Sequence, residues 1–212
     1  MTYNASSESN NEEMPRVLPE SMLGSSSDIE TVQRLLAQFR SEDPMQHKVA
    51  QQMQRFADVN GDNALSRTCA PGHFTASSLV LDQETGHFVM LFHTKLQRWL
   101  QPGGHVDGSS NLAAAALREA TEETGIDDLI VVVPAIDLDI HEVRPPKEPP
   151  HLHYDVRFLV LAPAGSQLVP NHESRDSKWV SLDELGNLDV DVSVARLAHR
   201  GFEVARKLKR KV

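Results

Sequence analysis

The sequence predicts an α/β (α+β) protein in which a mixed β-sheet is sandwiched between helices, with an added helical hairpin on its N-terminal side. Three observations predict it. Apolar residues recur at helical spacing up to about Phe56, the period shortens to strand-like alternation from His73, and the later strands and helices are intermixed without regular alternation, which disfavours a doubly wound sheet. With 212 residues, one compact domain with extensions can bury a sufficient core without disulfides or a structural metal.

Residues 1–26 are rich in Ser, Asn and Glu without periodic apolar positions, and are expected to be a disordered or loosely ordered tail. An N-terminal helical extension is expected over 27–72. Ser27 followed by Glu30 reads as a capping box, and Ile29, Val32, Leu35, Leu36 and Phe39 then recur at helical spacing. Asp43 before Pro44 starts a second helix, since proline at the first helical position gives up an amide that has no internal partner; Met45, Val49, Met53 and Phe56 form its apolar stripe. This hairpin is expected to cover an edge of the main domain. Asp58, Asn60 and Asp62 resemble the start of a calcium loop, but Asn63 replaces its glycine and Cys69 its bidentate glutamate, so a helix-terminating turn is expected instead.

The main domain, 73–212, opens with a hairpin, FTASSLVLD, a QETG turn and HFVMLFH. A helix is expected near 111–124, strands at 129–142 and 151–162 around a proline-rich loop, then SKWVSLDEL and a final helix from about Val192 to Lys209.

Composition excludes several functions. The longest strongly apolar run, Leu129 to Ile136, contains a proline and is too short to span a membrane, and the polar start has no signal-peptide pattern, so a cytoplasmic location is expected. One cysteine, Cys69, excludes an intramolecular disulfide framework. A net charge of −9 argues against broad nucleic-acid binding, although residues 196–212 carry seven bases against one acid. Basic residues in a last helical turn ordinarily complement the helix dipole and stay solvated.

The densest chemical signal is GGHVDGSSNLAAAALREATEETGI, residues 103–126. Asn111 caps a helix that Gly125 ends, and Glu119, Glu122 and Glu123 stand at i, i+3 and i+4, so the three carboxylates share one face. Three negative groups this close repel one another unless a divalent cation compensates, and hard oxygen ligands suit Mg²⁺ or Mn²⁺. The Gly103-Gly104 turn lets backbone approach a ligand, and the Gly104 carbonyl offers one more oxygen. Standing alone, such a cluster would be an ordinary solvated face.

In combination these residues resemble the signature of the Nudix hydrolase family, G(x5)E(x7)REUxEExGU with U a bulky aliphatic residue. Gly104 matches the first glycine, Arg118-Glu119 the RE pair, Glu122-Glu123 the EE pair, Gly125 the last glycine and Ile126 the final aliphatic. Ser110 stands where the family has its first glutamate, and Ala120 is a small version of U. The resemblance implies a Nudix fold over 73–212 and Mg²⁺- or Mn²⁺-dependent hydrolysis of a diphosphate linkage in a nucleotide-like or other X-linked small molecule. Glu119, Glu122 and Glu123 would be the catalytic residues, and together with Gly104 the metal ligands. Arg118 would be supporting, as would Ser110 and Asp107, the latter as a partial substitute for the missing glutamate that braces the loop through Arg118. A catalytically weakened ligand-binding or regulatory module is the alternative; an isomerase of the same fold is a poor match, because Cys69 lies outside the signature. Oligomeric state is open, a homodimer being compatible with the sequence.

A second constellation is His151, His153, Asp155 and Arg157, which alternate along HLHYDVRFLVL and share one strand face. His153, Asp155 and Arg157 are candidate substrate-binding residues forming a polar pocket wall; a second metal site and a plain surface with cross-strand pairs are the other readings. His105, in the signature loop, is a further substrate-binding candidate with a structural hydrogen bond as its alternative. Lys95 and Arg98 could attract a polyphosphate, Trp99 is expected to pack against the loop, and Glu173 is a candidate late-loop metal ligand.

Overall fold

The computed structural model describes residues 15–94, 96–169 and 174–210; Lys95 and Glu173 lie outside them. Among the described residues eight strands form one mixed sheet: β1 (Arg16–Pro19), β2 (Gly72–Asp82), β3 (Phe88–His93), β4 (Arg98–Leu100), β5 (Gly103–His105), β6 (Ile130–Val143), β7 (His151–Ala162) and β8 (Ser174–Val180). The main order is β1-β6-β7-β2-β3-β4, with β5 paired to β2 and β8 to β3. β2 and β7 run parallel from Gly72↔Leu152 to Asp82↔Ala162, and the other pairs are antiparallel, so the sheet is mixed as expected.

The helices are α1 (Ile29–Gln38), α2 (Pro44–Asn60), α3 (Leu112–Thr124), α4 (Leu182–Leu185) and α5 (Val192–Lys209). Asp43 caps α2 by accepting from the Met45 amide, with Pro44 in the first turn. α1 starts one residue later than the sequence suggests. Its cap is Asp28, whose carboxylate accepts from the Glu30 amide, while the Ser27-Glu30 box is not formed. Asp62 ties the start of α1 to the end of α2 by accepting from the Ile29 amide at 2.9 Å.

Two apolar clusters lie in the two layers. One joins α1, α2 and α3 to Phe74, Ala76, Leu138, Tyr154, Val156 and Phe158. Here Phe56 of α2 stacks on Tyr154, ring centroids 3.8 Å apart, and meets Phe74 edge-on at 5.6 Å. The other joins α5 to Leu79, Leu81, Phe88, Met90, Leu159 and Leu161. The hairpin thus shares the core beneath α3.

Hairpin and sheet edge are also joined by a polar contact. Gln46, 3% exposed, donates to the Leu138 carbonyl at 2.9 Å and accepts from the Leu138 amide at 2.8 Å, standing in for a strand beside β6.

Residues 15–26 depart from the expected loose tail. Arg16–Pro19 is an edge strand paired with Ile130–Val133, and a short 3-10 turn covers Glu20–Met22. Four residues are too few to show periodicity, and what orders them is the unpaired edge of β6.

Candidate functional site

Alternation along β5 divides the signature loop between two environments. All three residues pair with β2, Gly103 with Ser77, Gly104 with Ala76 and His105 with Thr75, but a side chain at 104 would point to Glu119 of α3, on the other face from those at 103 and 105. A Cβ on Gly104 would lie 2.5 Å from Glu119 Oε2, and one on Gly103 would lie 2.3 Å from Ser77 Cβ and 2.7 Å from its Cα. Both glycines are therefore needed for close approach, the first to a carboxylate and the second to backbone.

α3 presents its carboxylates to this loop. Its start is capped by Asn111, which accepts from the Ala114 amide, and it ends at Gly125 with φ 65°, a left-handed position suited to glycine. Glu123 accepts from the Gly103 amide at 2.8 Å. Arg118 Nη2 donates both to Glu119 Oε1 at 2.6 Å and to the His105 carbonyl at 2.7 Å, locking helix and loop together. Glu122 is exposed on the same helix. Burial pushes the Glu119 carboxyl above its ordinary value, outweighing the opposing pull of Arg118.

The expected brace is differently built. Asp107 is exposed and lies 3.7 Å from exposed Arg67, whereas Arg118 spends its guanidinium on Glu119 and His105. Asp107 therefore does not replace the missing glutamate at Arg118. Ser110 is fully buried; its amide donates to the Ser26 carbonyl at 2.8 Å, but among the described residues neither Ser110 Oγ nor Arg118 Nε has a hydrogen-bond partner.

A model of the NUDIX domain family matches residues 72–201, more than half of the sequence and all of this loop and helix. The chain belongs to the Nudix family. Among solved structures, the E. coli dihydroneopterin triphosphate pyrophosphohydrolase is similar at a TM-score of 0.50 and 20% identity, covering 59% of this chain and 92% of that one. The MutT protein from Methanosarcina mazei Go1 gives a TM-score of 0.49 at 21% identity, covering 61% and 92% respectively. Among curated proteins no match is found.

The second constellation of this Nudix chain is split by depth. His151 and His153 are half-buried, but Asp155 and Arg157 are 3% and 2% exposed. Asp155 accepts from Thr75, Ser77 and Arg157 at 3.0, 2.7 and 2.7 Å. Arg157 also pairs with Asp137 and Asp139 at 3.4 and 3.2 Å and donates to the Ser193 carbonyl at the start of α5. Arg196 of α5 completes the network, reaching Asp137 at 2.8 Å and Asp139 at 3.1 Å. Asp155 and Arg157 therefore do not form an open pocket wall: the face is shared as expected, but α5 covers this end of it. The apolar side of the strand is as anticipated, with Tyr154, Val156 and Phe158 in the core.

At the other end, strand register brings histidines together that are far apart in sequence. His73 pairs with His153 across β2 and β7, and His153 with His141 across β7 and β6. Ring centroids of His73 lie 5.0 Å from His105, 5.0 Å from His151 and 4.8 Å from His153. Burial, reinforced by neighbouring imidazoles, lowers the pKa of His73 to about 4 and of His153 to about 3. His105 accepts at Nδ1 from Arg67, 2.7 Å away. His73, His141 and Arg67 carry no local sequence signal for this grouping, because the β2/β7 register that creates it joins segments eighty residues apart.

Trp99 packs edge-on against Phe92 at 5.3 Å, with the Lys178 ammonium 4.2 Å from its ring centre. No helix among the described residues is long and apolar enough to cross a membrane.

Proposed function

We propose that this Nudix chain is a Mg²⁺- or Mn²⁺-dependent hydrolase that cleaves a diphosphate linkage in a nucleotide-like or other X-linked small molecule. The observation that carries the reading is the docking of the two glycines of β5 on the carboxylate helix α3. Gly104 lies against Glu119, and Glu123 holds the Gly103 amide. The donor chemistry fits a hard divalent cation: Glu119, Glu122, Glu123 and the Gly104 carbonyl would hold it, with no imidazole or thiolate required. When bound, such a cation neutralises phosphate oxygens and acidifies a coordinated water.

The chain's own contribution is orientation. Arg118 holds the Glu119 carboxylate and the loop carbonyl of His105 in one arrangement. Glu119, Glu122 and Glu123 are the proposed catalytic residues, Arg118 is a positioning residue, and Ser110 supports the loop only by packing and by its amide. His105 and His153 remain on an accessible side of the sheet; Asp155 and Arg157 hold that sheet to α5.

The test is incubation of the full chain with nucleoside triphosphates, nucleotide sugars, dinucleoside polyphosphates and coenzyme diphosphates, with Mg²⁺ or Mn²⁺, and identification of the phosphate-containing products. Glu122→Gln should lose at least about 100-fold in kcat, with unchanged thermal unfolding. Turnover by that variant equal to the parent at limiting Mg²⁺ removes Glu122 from the site. Mg²⁺ binding without turnover on any compound favours a regulatory module instead.

A further inference from the structure

The buried end of the histidine group has no partner in the proposed Nudix chemistry. His73 is 1% exposed, and both of its ring nitrogens lack a hydrogen-bond partner among the described residues. Burying an imidazole without hydrogen bonds costs free energy. One ligand atom from each of His73, His105 and His153 can be chosen so that all three lie within 4.8 Å of one another. Three strands supply them: β2, β5 and β7.

We propose that His73, His105 and His153 form a binding site for a borderline divalent transition metal of the Zn²⁺ type, separate from the carboxylate set on α3. Neutral imidazole is the ligating form, and nitrogen donors favour Zn²⁺, Co²⁺ or Ni²⁺ over Mg²⁺. Nitrogens around a tetrahedral zinc stand about 3.3 Å apart, so the rings close on the ion by side-chain rotation of roughly an ångström. His105 and His153 are half-buried and can make that adjustment. The strand alternation that turns Gly104 toward Glu119 keeps its neighbour His105 out of the carboxylate cluster.

His151 is placed to complete the site. Its ring lies 5.0 Å from that of His73 and 5.4 Å from that of His153. Its Nδ1 donates to the Pro149 carbonyl at 2.9 Å, which leaves Nε2 as the acceptor, the arrangement common among metal-bound histidines. Arg67 works against the ion. Its guanidinium can only donate, so it occupies His105 Nδ1 as acceptor; a metal at Nδ1 displaces this contact directly, and a metal at Nε2 requires the ring proton on Nδ1, which ends the contact too. The displaced guanidinium keeps Asp107 nearby.

The experiment is calorimetric titration of chelator-treated full-length protein with Zn²⁺ in excess Mg²⁺, repeated with Co²⁺ while recording visible absorption. One Zn²⁺ per chain should bind with a Kd of about 1 µM or tighter, and Co²⁺ should develop the absorption of a nitrogen-rich, low-coordinate site. His105→Ala and His153→Gln should each weaken binding on the order of 100-fold while circular dichroism stays unchanged. Glu122→Gln should bind as the parent does, and Arg67→Ala at least as tightly. His105→Ala lies on a half-buried three-residue strand and remains decisive if a His73 variant fails to fold. Absence of stoichiometric Zn²⁺ binding, parental affinity in both histidine variants, or loss of affinity in Glu122→Gln would overturn the proposal.

Discussion

Gly104 and Glu119 are in such close contact that a methyl group on residue 104 would sit 2.5 Å from Glu119 Oε2. The obstructing atom is the end of a side chain, which can swing away at small cost to folding. Gly104→Ala should therefore stay within about 1 kcal/mol of parental stability yet lose on the order of 100-fold in kcat, because the carboxylate leaves its place beside Arg118. Gly103→Ala meets the Cα of Ser77 instead, where nothing can swing, and should destabilise the fold by about 2 kcal/mol or more. Urea unfolding and turnover measured on both variants separate the two roles; equal stability would show that β2 and β5 can move apart at little cost.

Ser110 and Arg118 each bury a polar atom without a hydrogen-bond partner among the described residues, Oγ in one and Nε in the other. A glutamate at 110, as the family pattern has it, should supply Arg118 with a charge-assisted hydrogen bond and raise kcat several-fold at saturating Mg²⁺. Asp107→Ala should leave kcat within about twofold, since its side chain is exposed and faces Arg67. A slower Ser110→Glu enzyme together with a strongly impaired Asp107→Ala enzyme would reverse this assignment of the brace.

Arg157 is the buried cation at the centre of the network with Asp137, Asp139 and Asp155, and Arg196 reaches in from its exposed side. Arg157→Met should cost about 3–5 kcal/mol, because it leaves buried carboxylates without adequate compensation. Chemical denaturation reads this directly. A variant that keeps parental stability but loses kcat/KM would return Arg157 to the substrate site.

Acid should weaken the same network through Asp139. Burial would raise its pKa, but the hydrogen bond from His141, the charge of Arg157 and the bond from Arg196 prevail and hold it at about 2, below the ordinary 3.8. A carboxyl depressed in the folded state stabilises the fold above its unfolded pKa and loses that contribution as pH falls from about 4 toward 2. Asp137 faces the same cations with the opposite shift, raised chiefly by burial, so the Asp139 contribution must be isolated by difference. The stability gap between the parent and Asp139→Asn should be about 2 kcal/mol larger at pH 5 than at pH 2. A gap independent of pH would mean that Asp139 is not held ionised by its neighbours.

Local information was enough for the elements whose ends carry their own chemistry. Asp43-Pro44, Asn111, Gly125 and the stripe ending at Lys209 mark helices that the structure contains, because caps and periodicity act within one or two turns. The family signature was equally local: loop and helix are contiguous, so residue spacing alone placed the carboxylates on one face beside the glycines. Only tertiary structure decided what the other polar residues do. Alternation along β7 puts His151, His153, Asp155 and Arg157 on one side, but how far that side meets water depends on tertiary packing: α5 meets Arg157, which is buried, while His153 is left half-buried. The strand at Arg16–Pro19 and the seat of Gln46 on Leu138 likewise exist because distant β6 backbone needs partners. The joining of His73 to His153 depends on parallel pairing of strands separated by most of the domain, a register set by the whole sheet and not by the residues at either end.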